Sequence, residues 1–160
     1  MADEERIIKT DKDLEQEQSE RIMRKVAEKA GVWRANPHRF CIEYLGINLK
    51  FFQQILLFMM NLSTNFMYIA ARGQGKSFLI AIFCVVRCIL YPGTRICLAS
   101  KARKQATEIL EKLTTAPISN SVFLKQEIKD IVINTAQAYV EFHNGSKIVV
   151  ITANDNARSK

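Results

Sequence analysis

The sequence predicts an α/β fold, a parallel sheet flanked by helices with a β-hairpin appended, and three observations carry that expectation. Two short apolar runs, 67–71 and 95–100, each precede a longer stretch with apolar residues at helical spacing. Their strand, helix, strand, helix order implies a right-handed crossover between parallel strands. Near the end, Asn144-Gly145 separates two apolar segments and is the strongest short signal for a two-residue hairpin turn, because both turn positions need positive φ.

Taken in order, residues 11–30 are rich in Glu, Gln, Lys and Arg, with a partial apolar stripe at Leu14, Ile22, Met23, Val26, Ala27 and Ala30. They read as a polar helix that Gly31 can end. Asn36-Pro37 marks a turn before a short apolar-rich segment, 39–45, closed by Gly46. In residues 49–62, Phe52, Ile55, Leu56, Met59 and Met60 recur at three- and four-residue intervals and share a helix face. The run 67–71 suits a buried parallel strand. Residues 78–91 are almost wholly apolar and long enough for a buried helix, which Pro92-Gly93 stops. Strand 95–100 leads to a helix over 102–115 with Ala106, Ile109, Leu110 and Leu113 on one face. Residues 117–121 read as a loop, and 138–143 and 146–152 as the two hairpin strands.

A length of 160 residues suits one domain, and 48% apolar content suffices for a core. Charge is uneven: residues 1–30 hold 7 Lys/Arg against 9 Asp/Glu, whereas 31–160 hold 16 against 7. The expected division is a polar arm, 1–33, and a basic domain, 34–160. A basic body attracts polyanions through counterion release, so nucleic acid is a reasonable partner, although membrane surfaces share the attraction. The acidic start Met1-Ala2-Asp3-Glu4-Glu5 lacks the order of a secretory signal, and the longest apolar run is cut by Arg87, short of a membrane span. Four cysteines, at 41, 84, 88 and 97, show no disulfide-like framework, which fits a reducing, cytoplasmic compartment.

The loop between the first strand and its helix carries chemistry. Gly75-Lys76-Ser77 fits the end of a phosphate-binding loop, in which backbone N–H groups point at phosphate oxygens, the lysine reaches the β/γ-phosphates and the hydroxyl ligates Mg²⁺. Ala70 occupies the first glycine position, and Gly73 supplies a glycine closer in. Gly73, Gln74, Gly75, Lys76, Ser77 and Phe78 are therefore the expected ATP contacts, with Ser77 for Mg²⁺, in a fold of the P-loop NTPase type. Arg72 adds a cation that could bridge phosphate oxygens as an arginine finger does, or could pair with a structural carboxylate. Upstream, a Gln amide offers a donor and an acceptor that match the N6/N7 edge of adenine, so Gln53 or Gln54 could select ATP over GTP; a polar helix face is the plainer reading.

Taken together, these residues resemble the large subunit of the tailed-bacteriophage terminase, an ATP-driven motor that packages viral DNA. The resemblance rests on Asn36-Pro37-His38-Arg39-Phe40, Glu43-Tyr44-Leu45-Gly46, Leu49 with Phe52-Gln53, and Arg72-Gly73 with Gly75-Lys76-Ser77. It continues through Ala99-Ser100, Gln105-Ala106, Asn144-Gly145-Ser146 and Asn156-Ala157-Arg158, so it spans about residues 34–158. It implies that Gln53 senses adenine, that Lys76 and Ser77 contact phosphate and Mg²⁺, and that Arg158 is offered to a neighbouring subunit's ATP, although Ser159 stands where the family often has Gly. It also implies double-stranded DNA, a homo-oligomeric ring, a small terminase subunit and a portal as partners.

One departure is an absence. A phosphate-loop ATPase needs an apolar strand ending in Asp-Glu, but after Ser77 the run 131–133 ends in Asn134 and the run 148–151 in Thr152. The chain is therefore expected to be an incomplete domain, a fragment or truncated product without the family's nuclease domain, and inactive alone. A helicase-like ATPase and a non-catalytic nucleotide- or DNA-binding remnant are the competing expectations.

Other candidates are weaker in kind. Cys84 and Cys88 lie four apart on an apolar helix without a partner pair for a metal, so core packing is expected. His38 and His143 lack a neighbouring nucleophile and orienting group. Lys101, Arg103 and Lys104 could touch DNA phosphates or form a solvated helix start.

Overall fold

The computed structural model describes residues 11–101, 103–115, 118–134 and 138–152. The chain divides into two compact units, Met1–Ala35 and Asn36–Lys160.

The first unit contains one helix, α1 (Asp11–Ala35). Gly31 does not end it. A glycine inside a helix costs only about 1 kcal/mol, whereas Pro37 restricts the residue before it, and the helix stops just short of Asn36. Within α1 the Lys29 ammonium lies 5.2 Å from the Trp33 ring centroid, one turn away.

The second unit is a mixed α/β body. Its elements are α2 (Pro37–Glu43), α3 (Phe51–Leu62), α4 (Lys76–Leu90), β1 (Arg95–Ser100), α5 (Arg103–Glu111), α6 (Val122–Glu127), β2 (Ile128–Ile133), β3 (Ala138–Phe142) and β4 (Lys147–Thr152). Two 3₁₀ turns, Lys112–Thr114 and Ile118–Asn120, connect α5 to α6. The four strands form one sheet in the order β1-β4-β3-β2. β1 runs parallel to β4, pairing Ile96 with Ile148 and Leu98 with Val150, while the β4–β3 and β3–β2 pairs are antiparallel.

This sheet corrects two expectations. It is mixed, and the hairpin is its centre rather than an addition, because β4 is the strand that β1 pairs with. The alternation in β3 gives the reason: Ala138, Val140 and Phe142 are buried while Tyr139 and Glu141 are half-buried, so one face of the hairpin is built to be covered. The other correction concerns residues 67–71, which form no strand. Met67 and Ile69 are 84% and 86% exposed. A strand exists only through a ladder partner, and among the described residues none pairs with this segment.

The turn between β3 and β4 is also longer than expected. Gly145 donates its N–H to Phe142 O at 3.1 Å, Phe142 donates to Ser146 O at 2.9 Å, and among the described residues only glycines have positive φ. Gly145, at φ +82°, alone takes the left-handed position, as in a three-residue turn that ends in a bulge.

α4 is the central helix. Leu79, Ala81, Ile82, Cys84, Val85, Val86 and Cys88 are buried around most of its circumference, with α2 and α3 on one side and α5, β1 and β4 on others. Its C-terminus is capped by the β3–β4 turn. Asn144 Nδ2 donates to Cys88 O at 2.8 Å, and the fully buried Ser146 donates its hydroxyl to the same carbonyl at 2.8 Å while accepting from Thr94 N–H at 3.1 Å. The guanidinium of Arg87, 4.2 Å from the Tyr91 ring, adds a cation to the last turn.

On the far side of the body, α2 starts with Pro37, whose missing N–H is harmless in the first turn. Tyr44 follows the helix, stacked between Phe40 and Phe123, and donates its hydroxyl to Glu127 Oε1 at 2.6 Å. Ser121 caps α6 by accepting the Leu124 N–H at 3.3 Å.

Candidate functional site

The loop 70–77 joins an exposed extended segment to the buried helix α4. Gly73 and Gly75 have φ of +81° and +72°, a conformation that other L-residues adopt only with strain, so the glycines set the loop's shape. Gly75 is the N-cap of α4 and makes no side-chain cap, so the first backbone N–H groups of the helix face outward without a protein side chain to satisfy them. The arrangement concentrates partial positive charge where Lys76 and Ser77 begin the helix.

An open cleft of about 740 Å³ lies over this helix start. The loop side of its wall is Arg72, Gly73, Gly75, Lys76, Ser77 and Phe78, and the facing side is Glu108, Lys112 and Thr115 of α5 and the turn after it. Three cations and one carboxylate thus surround the space, a balance that favours an anionic occupant. The Lys76 ammonium is folded back onto its own loop, donating to Ala70 O at 2.5 Å and Ala71 O at 2.6 Å. Arg72 is exposed and makes no hydrogen bond or ion pair with another described residue.

Beneath the loop lies Gln53, on the first turn of α3 and 8% exposed. Its Oε1 accepts the Lys50 N–H at 2.9 Å as part of a capping box, and its Nε2 lies 3.4 Å from where a Cβ on Gly75 would be. The neighbouring Gln54 turns its Nε2 to Leu49 O at 2.9 Å.

The structure therefore brings together Arg72, Gly73, Gly75, Lys76, Ser77 and Phe78 around one cleft, with Gln53 touching the loop from below. Gln74 is exposed at the loop tip and is not part of the cleft wall. Arg158 lies outside the described residues. Glu108, Lys112 and Thr115 were not singled out from sequence; their four- and three-residue spacing places them on one helical face, but nothing local says what that face meets.

The remaining candidates have simple places. Cys41, Cys84 and Cys88 are buried and free, and burial pushes each thiol up to about 12, with Cys84 adding to the effect at Cys88. Cys97, in contrast to its apolar sequence surroundings, is exposed on β1. Among the described residues no group of three or more His, Cys, Asp or Glu could hold a metal ion. Lys101 and Lys104 are exposed. Among the described residues no helix is long and apolar enough to cross a membrane.

No protein-family model matches this chain, and no curated protein matches it either.

Proposed function

We propose that the body binds ATP·Mg²⁺ at the cleft over α4 and is the nucleotide-gripping part of a P-loop ATPase of the DNA-packaging, terminase large-subunit type. The observation that carries this reading is the loop Arg72–Ser77: two glycines at positive φ deliver a lysine and a serine to the start of a 15-residue buried helix. The donor set fits a triphosphate. Backbone N–H groups of the first turn take phosphate oxygens, Lys76 leaves its two carbonyls to reach the terminal phosphates, and Arg72 supplies a second charge. Ser77 offers the oxygen for Mg²⁺, which neutralises the charge that develops on the β/γ oxygens.

Double-stranded DNA as the substrate of the complete motor is supported by the basic balance of residues 31–160, 16 Lys/Arg against 7 Asp/Glu. A ring of like subunits, a small subunit, a portal and a cytoplasmic setting belong to the same reading and rest on the residues that resemble the family.

A second reading, a nucleotide-binding piece without turnover, is favoured by one observation. The cleft wall holds a single carboxylate, Glu108, on α5. Orienting an attacking water and holding Mg²⁺ call for more than one such group.

Binding and turnover measured separately decide between these readings. The proposal expects the chain to bind a fluorescent ATP analogue with Mg²⁺, and Lys76→Ala to weaken that binding at least tenfold. Equal binding by wild type and Lys76→Ala would remove the loop from the function. Hydrolysis by this chain would sink the second reading.

A further inference from the structure

The two glutamines beside the phosphate loop have half of their chemistry already committed. An amide side chain reads the N6/N7 edge of adenine only when its oxygen and its nitrogen are both free, since the recognition consists of one accepted and one donated hydrogen bond. Gln53 spends its oxygen on the Lys50 N–H, at 2.9 Å, and is held there by the reciprocal bond from its own N–H to Lys50 O at 2.8 Å. Gln54 spends its nitrogen on Leu49 O, at 2.9 Å. Neither can present the paired edge while α3 keeps its N-terminus. Freeing Gln53 would orphan the Lys50 N–H at the helix start.

What Gln53 has left is its amino group. The side chain is more than nine-tenths buried, and its Nε2 has no acceptor among the described residues; it lies against Gly75, the residue that begins the helix under the cleft. A buried donor without a protein partner points to a partner that arrives with the ligand. The ligand group next to the loop is the polyphosphate, whose oxygens are acceptors only.

We infer that Gln53 serves the phosphate end of the bound nucleotide, giving its Nε2–H to a phosphate oxygen and bracing Gly75, and that this site grips triphosphates without choosing the base. The inference rests on the nucleotide-binding reading of the cleft. The ligand class it names is any nucleoside triphosphate, and inorganic tripolyphosphate as the part that all of them share.

The test needs no variant to begin. Wild-type chain is titrated by calorimetry with ATP, GTP and tripolyphosphate, each with Mg²⁺. The expected result is ATP and GTP affinities within about threefold of each other, because a bidentate amide contact discriminates by roughly tenfold or more. A tenfold or greater preference for ATP overturns the inference. Gln53→Glu then separates the two ends of the side chain. Its carboxylate can still accept the Lys50 N–H, so α3 keeps its cap, but a negative oxygen replaces the donor that faces the loop. Binding of ATP, GTP and tripolyphosphate should fall together, by tenfold or more, with helical content by circular dichroism unchanged. A loss confined to ATP, or no loss for tripolyphosphate, overturns the inference and leaves nucleotide binding standing. A wild-type chain that binds none of the three overturns the nucleotide reading itself, and this inference with it.

Discussion

Replacing Ser146 with alanine should cost the body about 2 kcal/mol, because its hydroxyl is fully buried and makes two bonds that alanine cannot make. It donates to Cys88 O and accepts from Thr94 N–H, and a typical intramolecular hydrogen bond contributes about 1 kcal/mol net. A larger penalty for stranded groups is not expected. Cys88 O keeps the Asn144 amide at 2.8 Å, and Thr94 N–H keeps Tyr91 O at 3.3 Å. For a body of this size, roughly 2 kcal/mol lowers the melting temperature by about 8 °C. Urea unfolding followed by circular dichroism measures it: the midpoint should fall while the slope with urea stays the same. Ser119→Ala is the control, expected within about 0.5 kcal/mol of wild type, because the Ser119 side chain makes no hydrogen bond with a described residue. A Ser146→Ala loss no larger than that of the control would refute the capping of α4 by the hairpin turn.

Two further outcomes follow from the ionisable groups. In the native chain Cys97 should react with a thiol reagent at pH 8 while Cys41, Cys84 and Cys88 wait for urea, since the latter are buried and protonated; equal rates at all four would show that α4 is not packed as described. At alkaline pH the Tyr44 hydroxyl is pushed up to about 12, first by burial and then by the Glu127 carboxylate that accepts its proton, against an ordinary value of 10.0. The folded chain therefore holds this proton more tightly than the unfolded chain. Its contribution to stability is whole below pH 10 and is lost as pH rises toward 12. The buried thiols act with the same sign from pH 9. Tyr44→Phe should flatten the fall of stability between pH 10 and 12 and leave the cysteine portion; an unchanged slope would refute the Tyr44–Glu127 account.

The parts of the site that were legible in the sequence are those whose information is local. Gly75-Lys76-Ser77 is contiguous, and the apolar residues 78–90 announce a buried helix by composition alone. The strand expected at 67–71 depended on a partner elsewhere in the chain, and periodicity cannot supply one. The same limit explains the sheet: the apolar runs 95–100 and 147–152 were both visible, but their parallel pairing across some fifty intervening residues was not. The hairpin turn was found by Asn-Gly and misjudged in length. Asn144 does not occupy a left-handed position; its side chain caps α4, a tertiary role that turn statistics do not contain. Glu108, Lys112 and Thr115 could be grouped on one face by spacing, but that this face looks across at the loop follows only from how α5 packs beside α4.

α4 is about 22 Å long at 1.5 Å per residue. It is gripped at its far end by Asn144 and Ser146, and at its near end it begins in two glycines. Mechanically this is a cantilever: a stiff beam built into the sheet at one end and ending at the other in the most compliant piece of backbone around it. A load applied at the cleft cannot slide the beam along its axis without tearing the turn from its root. Displacement must instead appear on the compliant side, in the exposed segment 66–74 that leads into the loop. If the cleft converts binding into motion, the moving part is this lead-in strap, while the helix serves as its fixed mount.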